Sequence, residues 1–147
     1  MPRYFTLTEA RAALPAVGRL IRDAVQAKRQ YQEAEALIQE LAQRILMAGG
    51  MHVDSTVTEG WKAQLDSSAQ TLKSAMERIE EMGVLVKDLD TGLVDFPTLF
   101  RGEEVYLCWR MDEADIDHWH GVNEGFGGRK TIDRSFLDNH RGGPGVD

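Results

Sequence analysis

Two apolar stripes with helical spacing run through the first half of the chain. In the first stripe, apolar residues recur at alternating intervals of four and three positions, which places them along one side of an α-helix as in a heptad seam. Its members are Leu20, Ala24, Ala27, Tyr31, Ala34, Ile38, Leu41, Ile45 and Ala48. The second stripe has the same spacing and consists of Trp61, Leu65, Ser68, Leu72, Ala75, Ile79 and Met82. The pattern predicts two long, coiled-coil-like helices.

Residues that start and stop helices set the bounds of the first helix. Proline costs a hydrogen bond inside a helix but is accepted in its first turn. Because of Pro15, we expect a short helix over residues 8–13 and the main helix over residues 14–48. Gly49 and Gly50 then end the main helix.

The second helix is predicted over residues 59–82, with a cap at Thr56 or Thr58, and the short loop before it makes the pair an antiparallel hairpin. At about 1.5 Å per residue the first helix spans roughly 50 Å and the second about 36 Å. The N-terminal end of the first helix therefore needs cover from the C-terminal half of the chain or from a second subunit. Because an isolated hairpin is marginally stable, we expect a homodimer.

After residue 83 the apolar spacing changes to the alternation that is typical of β-strands. Strands are predicted over residues 84–87, 92–96 and 104–110, in a small antiparallel sheet. Because proline has no N–H to donate, Pro97 argues against a central position for the second strand beyond residue 96.

The predicted fold class is α+β, with one folding unit in three parts. These are a helical hairpin over 1–83, a small β-rich subdomain over 84–134 packed on it, and a flexible tail over 135–147. The net charge of −7 is uneven, since residues 1–83 hold ten basic and eleven acidic side chains and residues 84–147 hold seven and thirteen. Such an acidic half disfavours nucleic acid and suits cations.

The chain offers no signs of export or of membrane insertion. No apolar run approaches the roughly 18 residues that cross a bilayer, and the N-terminus has no apolar leader. Cys108 is the only cysteine, so no disulfide can form within the chain. We therefore expect a cytoplasmic protein that has no membrane partner.

Several short stretches together resemble a known family. They are residues 5–10, 86–97 and 106–110, with the dipeptides Trp119-His120 and Gly125-Phe126. Over roughly residues 4–133 the chain resembles the small uncharacterised prokaryotic family known as domain of unknown function 2203. The resemblance implies a prokaryotic cytosolic protein and assigns no activity and no catalytic residues.

The candidate chemistry lies in the segment His118-Trp119-His120. In an extended segment the two imidazoles point to the same face and Trp119 points to the other, towards the core. Two imidazoles on one face are half of a site for Zn²⁺, Fe²⁺ or Mn²⁺. In a helix the same residues would diverge by about 200° and could not share an ion.

A third ligand must complete such a site. Glu124, four residues after His120, is the preferred carboxylate, and Asp95 on a neighbouring strand is the other. Cys108 is either an alternative ligand that would favour zinc or a buried structural thiol. The loop from Gly125 to Arg129 is either a connector or a loop that holds an anion near the metal.

Two functions follow from this pattern. The first is a metal-binding protein, in which His118, His120 and a carboxylate (Glu124 or Asp95) leave open positions for water or a small polar ligand. If it is an enzyme, it would be a metal-dependent hydrolase or an enzyme that activates water or oxygen. The alternative is a non-catalytic helical scaffold that acts as a homodimer, with the two histidines in structural roles.

Overall fold

The computed structural model describes residues 3–50 and 54–141. It confirms an α+β fold, in which a long antiparallel helical hairpin precedes a small antiparallel sheet. The elements are α1 (Leu7–Met47), α2 (Ser55–Glu81), β1 (Leu85–Asp88), β2 (Leu93–Phe100), β3 (Glu103–Arg110), β4 (His118–Gly121), a 3-10 turn (Phe126–Gly128), β5 (Lys130–Thr131), α3 (Arg134–Asn139) and β6 (His140–Arg141). No helix in these described ranges is long and apolar enough to cross a membrane.

Helix α1 begins earlier than predicted and is continuous through Pro15. Thr6 caps it in a capping box, because its side chain accepts from the Glu9 N–H and the Glu9 carboxylate accepts from the Thr6 N–H. The predicted separation of a short helix over 8–13 is wrong. The capped first turns bury Leu7 and Leu14 in the core, which outweighs the one hydrogen bond that Pro15 removes.

Helix α2 also begins earlier than predicted. Asp54 is its N-cap and accepts from the Thr56 N–H at 2.9 Å, so the predicted caps at Thr56 and Thr58 are wrong. The carboxylate of Asp54 is a better acceptor for the first helical N–H groups than a hydroxyl one turn further on. Of the loop predicted before this helix, residues 51–53 lie outside the described ranges.

The sheet covers the N-terminal half of α1. This is one of the two predicted alternatives, namely cover from the C-terminal half of the chain. Leu14, Val17 and Ile21 share one core with Phe96 and Trp109. The Trp109 ring lies so close to α1 that a β-carbon placed on Gly18 would be 3.5 Å from it. Further along the hairpin, the larger seam residues, such as Ile38, Leu41 and Leu65, are only partly buried.

Strands β1 to β5 pair in chain order, and β6 pairs with β2. The prediction about Pro97 is wrong, since β2 continues through it with β3 on one side and other segments on the opposite side. The backbone N and O of a strand residue point to the same side, and the Pro97 oxygen accepts from the Phe5 N–H at 2.7 Å. The missing N–H of Pro97 therefore faces away from β3 and removes no bond from that ladder.

Residues 135–141, the described part of the tail predicted to be flexible, belong to helix α3 and strand β6. Helix α3 buries Phe136, whose ring stacks on Phe100 and lies against Trp119. His140 accepts a hydrogen bond from the Leu7 N–H at 3.2 Å through Nε2. Residues 142–147 of the predicted tail lie outside the described ranges.

Candidate metal centre

The register of β2, β3 and β4 brings three polar side chains together. Asp95 lies opposite Cys108, and His120 lies opposite Tyr106, the residue two positions before Cys108. Because side chains alternate between the two faces of a strand, these residues share the face opposite to that of Phe96. The centre therefore lies on the side of the sheet away from the hairpin.

Asp95, Cys108 and His120 form a compact buried group. One carboxylate oxygen, the sulfur and one ring nitrogen all lie within 4.8 Å of one another. Asp95 and Cys108 are fully buried, and His120 is 4% exposed. Oxygen, sulfur and imidazole nitrogen are all ligands of divalent transition metals in proteins.

The backbone fixes the orientation of the His120 ring. Nδ1 lies 2.8 Å from the Gly121 carbonyl oxygen, which can only accept, so Nδ1 carries a hydrogen and donates. Nε2 then points at Asp95 Oδ1, 3.0 Å away. A carbonyl behind one ring nitrogen is the arrangement that orients a metal-ligating histidine. Without a metal, one proton must lie between His120 and Asp95 to make their contact favourable.

The Asp95 carboxyl group is only partly satisfied. Burial raises its pKa, and the neighbouring His120 partly opposes that effect. The Cys108 thiol, a weak donor, interacts with the carboxyl group but leaves Oδ2 without a hydrogen bond of normal geometry. A buried acceptor without a partner is costly, and a cation would remove that cost.

The Cys108 thiol is protonated at neutral pH. Burial, and then the negative charge of Asp95, raise its pKa to about 12. A thiol of this kind is a poor nucleophile, because the thiolate is the reactive form. A metal ion, however, displaces the proton of a coordinating thiol.

His118 shares the strand face of His120, as the extended segment predicts, but it has other partners. Its Nδ1 accepts from Nη2 of Arg129 at 3.0 Å. The same Nη2 lies 2.7 Å from both carboxylate oxygens of Glu113. His118 is thus in a network of Arg129 and Glu113 beside the buried group.

Glu124 also has other partners. Its Oε1 accepts from the Gly121 N–H at 2.8 Å and from the Lys130 ammonium at 2.6 Å. Lys130, followed by the Gly121 N–H, lowers the pKa of Glu124. The carboxylate therefore closes the turn after β4, whereas Asp95 is the carboxylate in contact with His120.

A cavity of about 150 Å³ adjoins the buried group. The loop after β4 forms one wall, and the Phe126 ring of that loop contacts the guanidinium groups of Arg110 and Arg129, which lie 4.8 and 4.5 Å from the ring centre. The lining includes Asp95, His120, Lys87, Tyr106, Glu124 and Phe126. Lys87 was not among the candidate residues predicted from the sequence. Its only signal there is that it is the one charged residue of the strand predicted over residues 84–87.

Fold and centre together define an α+β protein with a helical hairpin and a buried Asp-Cys-His group on the far face of its sheet. The chain belongs to the family described as uncharacterized conserved protein (DUF2203), whose model matches residues 3–132. No curated protein and no solved structure matches the chain.

Proposed function

We propose that this protein binds a divalent transition metal through Asp95, Cys108 and His120. The observation that carries the proposal is the burial of three different ligand atoms within 4.8 Å of one another. The sequence alone favoured His118 and Glu124 with His120. His118 contacts Arg129 and Glu124 contacts Lys130, which supports Asp95, Cys108 and His120 as the ligands instead.

The spacing of the group supports a tetrahedral ion. Nitrogen and oxygen ligands at 2.0–2.1 Å from zinc lie about 3.3 Å apart at a tetrahedral angle, and a sulfur ligand lies about 3.6 Å from either. The Asp95 and His120 atoms are 3.0 Å apart, so they need to separate by only a few tenths of an ångström. The ion would replace the proton between them.

The ligand types favour zinc over iron or manganese. Thiolate sulfur with imidazole nitrogen suits a borderline-soft ion, whereas manganese prefers oxygen ligands. Three protein ligands leave one position open, as in catalytic rather than structural zinc sites. A zinc ion in such a site supplies a Lewis acid that activates water, so metal-dependent hydrolysis of a small polar substrate is the activity that fits best.

Elemental analysis of untagged protein, purified without chelator, tests the proposal. We expect about one zinc per chain in the parent and in His118→Ala, and none in Cys108→Ala or His120→Ala. His118→Ala is the matched control, because it removes an imidazole from the same strand face. Circular dichroism checks that each variant folds.

Two results would contradict the proposed ligand set. The first is loss of zinc in His118→Ala with zinc retained in Cys108→Ala, which would restore the set favoured by the sequence. The second is a metal-free parent protein that gains no thermal stability from added Zn²⁺, Mn²⁺ or Fe²⁺. That result would reject metal binding altogether.

A second candidate function is that of a helical scaffold that acts as a homodimer. Apolar side chains near the loop between α1 and α2 are exposed: Leu46 is 80% exposed and Met47 is 88% exposed. A second copy of the hairpin would cover them in a four-helix arrangement. Sedimentation equilibrium tests this function, and a monomer at tens of micromolar would reject it.

A further inference from the structure

We propose that the open position of the metal takes a small monocarboxylate, which the ammonium group of Lys87 holds at its other end. This inference rests on the proposed metal site. It names the class of ligand that the site accepts, and it comes from the cavity beside the three ligands rather than from the ligands themselves.

Lys87 lines the cavity together with Asp95 and His120. Its ammonium lies 4.7 Å from the centre of the Tyr106 ring, so the side chain extends from β1 across β2 towards β3. The edge of the same Tyr106 ring meets the His120 ring, with 5.5 Å between the ring centres. Tyr106 thus places the ammonium on the side of the cavity that adjoins His120.

Lys87 is in no close ion pair among the described residues, but its positive charge acts on Asp95 and lowers the pKa of that carboxyl group. Glu124, the other charged residue of the cavity lining near the loop, is neutralised by Lys130 at 2.6 Å. Once a metal ion neutralises Asp95, the positive charge of Lys87 is available to a ligand.

The charges of the loaded site favour an anion over a neutral ligand. A divalent ion with the carboxylate of Asp95, the thiolate of Cys108 and a neutral His120 has no net charge. Lys87 adds one positive charge beside this neutral centre. A ligand with a single negative charge completes the balance, whereas a dianion such as phosphate exceeds it.

The size of the cavity suits a small ligand. A volume of about 150 Å³ is comparable to that of an engineered protein cavity that binds benzene. Formate or acetate fits this volume with one oxygen on the metal and the other towards Lys87. The Phe126 and Leu93 side chains in the lining offer apolar contacts to a short substituent.

Cobalt-loaded protein provides the test, because Co²⁺ replaces zinc in such sites and its visible absorption reports the ligands. Co²⁺ stoichiometry is measured first without any carboxylate, and formate and acetate are then titrated. We expect both small carboxylates to change the spectrum. Binding of formate should weaken about tenfold in Lys87→Met, as expected for loss of one hydrogen bond to a charged group.

Lys62→Met is the control for net charge, since Lys62 is an exposed residue of α2 far from the cavity lining. It should bind formate as the parent does. Stoichiometric Co²⁺ with a spectrum that does not respond to either small carboxylate would overturn the inference and leave the metal site intact. Equal formate affinity in Lys87→Met and the parent would also overturn it. Protein that takes up no Co²⁺ rejects the metal site, and the inference with it.

Discussion

Each face of the sheet has a buried centre, but the two centres have opposite chemistry. On one face, Phe96 and Trp109 pack against the hairpin, and their burial is itself stabilising. On the other face, Asp95, Cys108 and His120 are equally buried beneath the loop after β4, and removing them from water is costly. The comparison indicates that the hairpin face stabilises the fold, whereas the opposite face holds a polar group whose burial is costly.

Truncation of the hairpin face should have the largest effect on stability. Trp109→Ala removes a fully buried indole that packs beside Gly18 of α1 and donates from Nε1 to the Glu113 carbonyl at 3.0 Å. We expect a loss of about 3–5 kcal/mol in the free energy of unfolding, measured in urea. A loss below about 1 kcal/mol would show that the sheet does not depend on α1 for its core.

On the opposite face, His120→Ala should have the next largest effect in metal-free protein. It leaves the Asp95 carboxyl group buried without its ring-nitrogen partner, which costs roughly 2–3 kcal/mol. The matched His118→Ala removes a half-exposed ring and leaves Arg129 paired with Glu113, so it should cost less than about 1 kcal/mol. Equal losses in the two variants would mean that burial on this face has no special cost.

The thiol of Cys108 should make the stability of the polar face depend on pH, whereas the apolar face has no such group, since Cys108 is the only cysteine. Its pKa is raised from 9.0 to about 12 in the folded chain, so above pH 9 the unfolded chain loses a proton that the folded chain retains. The contribution of the Cys108 thiol to the free energy of unfolding is fully present below pH 9 and is lost as the pH rises towards 12. The loss is roughly 2 kcal/mol at pH 10.5. Urea midpoints of the parent should therefore fall more steeply between pH 9 and 11 than those of Cys108→Ala. Parallel curves would contradict the raised pKa.

The hairpin and the strands could be predicted from sequence because their signals are local. Heptad spacing and strict alternation identify a helix seam or a strand face without knowledge of the partner. Pro97 was misjudged because the segment that lies beside it on the side away from β3, which includes Phe5, is distant in sequence. The N-cap of α2 was misjudged for a different reason, because the competing signal is local: Asp54, two residues before Thr56, is itself a favoured N-cap residue.

Distance in sequence also made the candidate centre only partly predictable. The extended His118-Trp119-His120 segment correctly predicts that the two imidazoles share a face. Which carboxylate approaches them depends on the register of β2 against β3, and that register is set by the turn between them rather than by any pattern around Asp95. Proximity in sequence favoured Glu124, whereas strand pairing brings Asp95 to His120.

The smallest expected effect separates the ring of Tyr106 from its hydroxyl group. The hydroxyl lies 3.4 Å from Glu104 at the long limit of a hydrogen bond, whereas the ring contacts both His120 and Lys87. Tyr106→Phe should change the free energy of unfolding by less than about 0.5 kcal/mol and retain the metal. Tyr106→Ala removes the ring, which frees the Lys87 ammonium to move, and it should therefore weaken formate binding. Thermal melts and the cobalt titration measure both effects. If Tyr106→Phe alone impaired formate binding, the hydroxyl group rather than the ring would be the part of Tyr106 that serves the cavity, and the polar face would extend one residue further along β3.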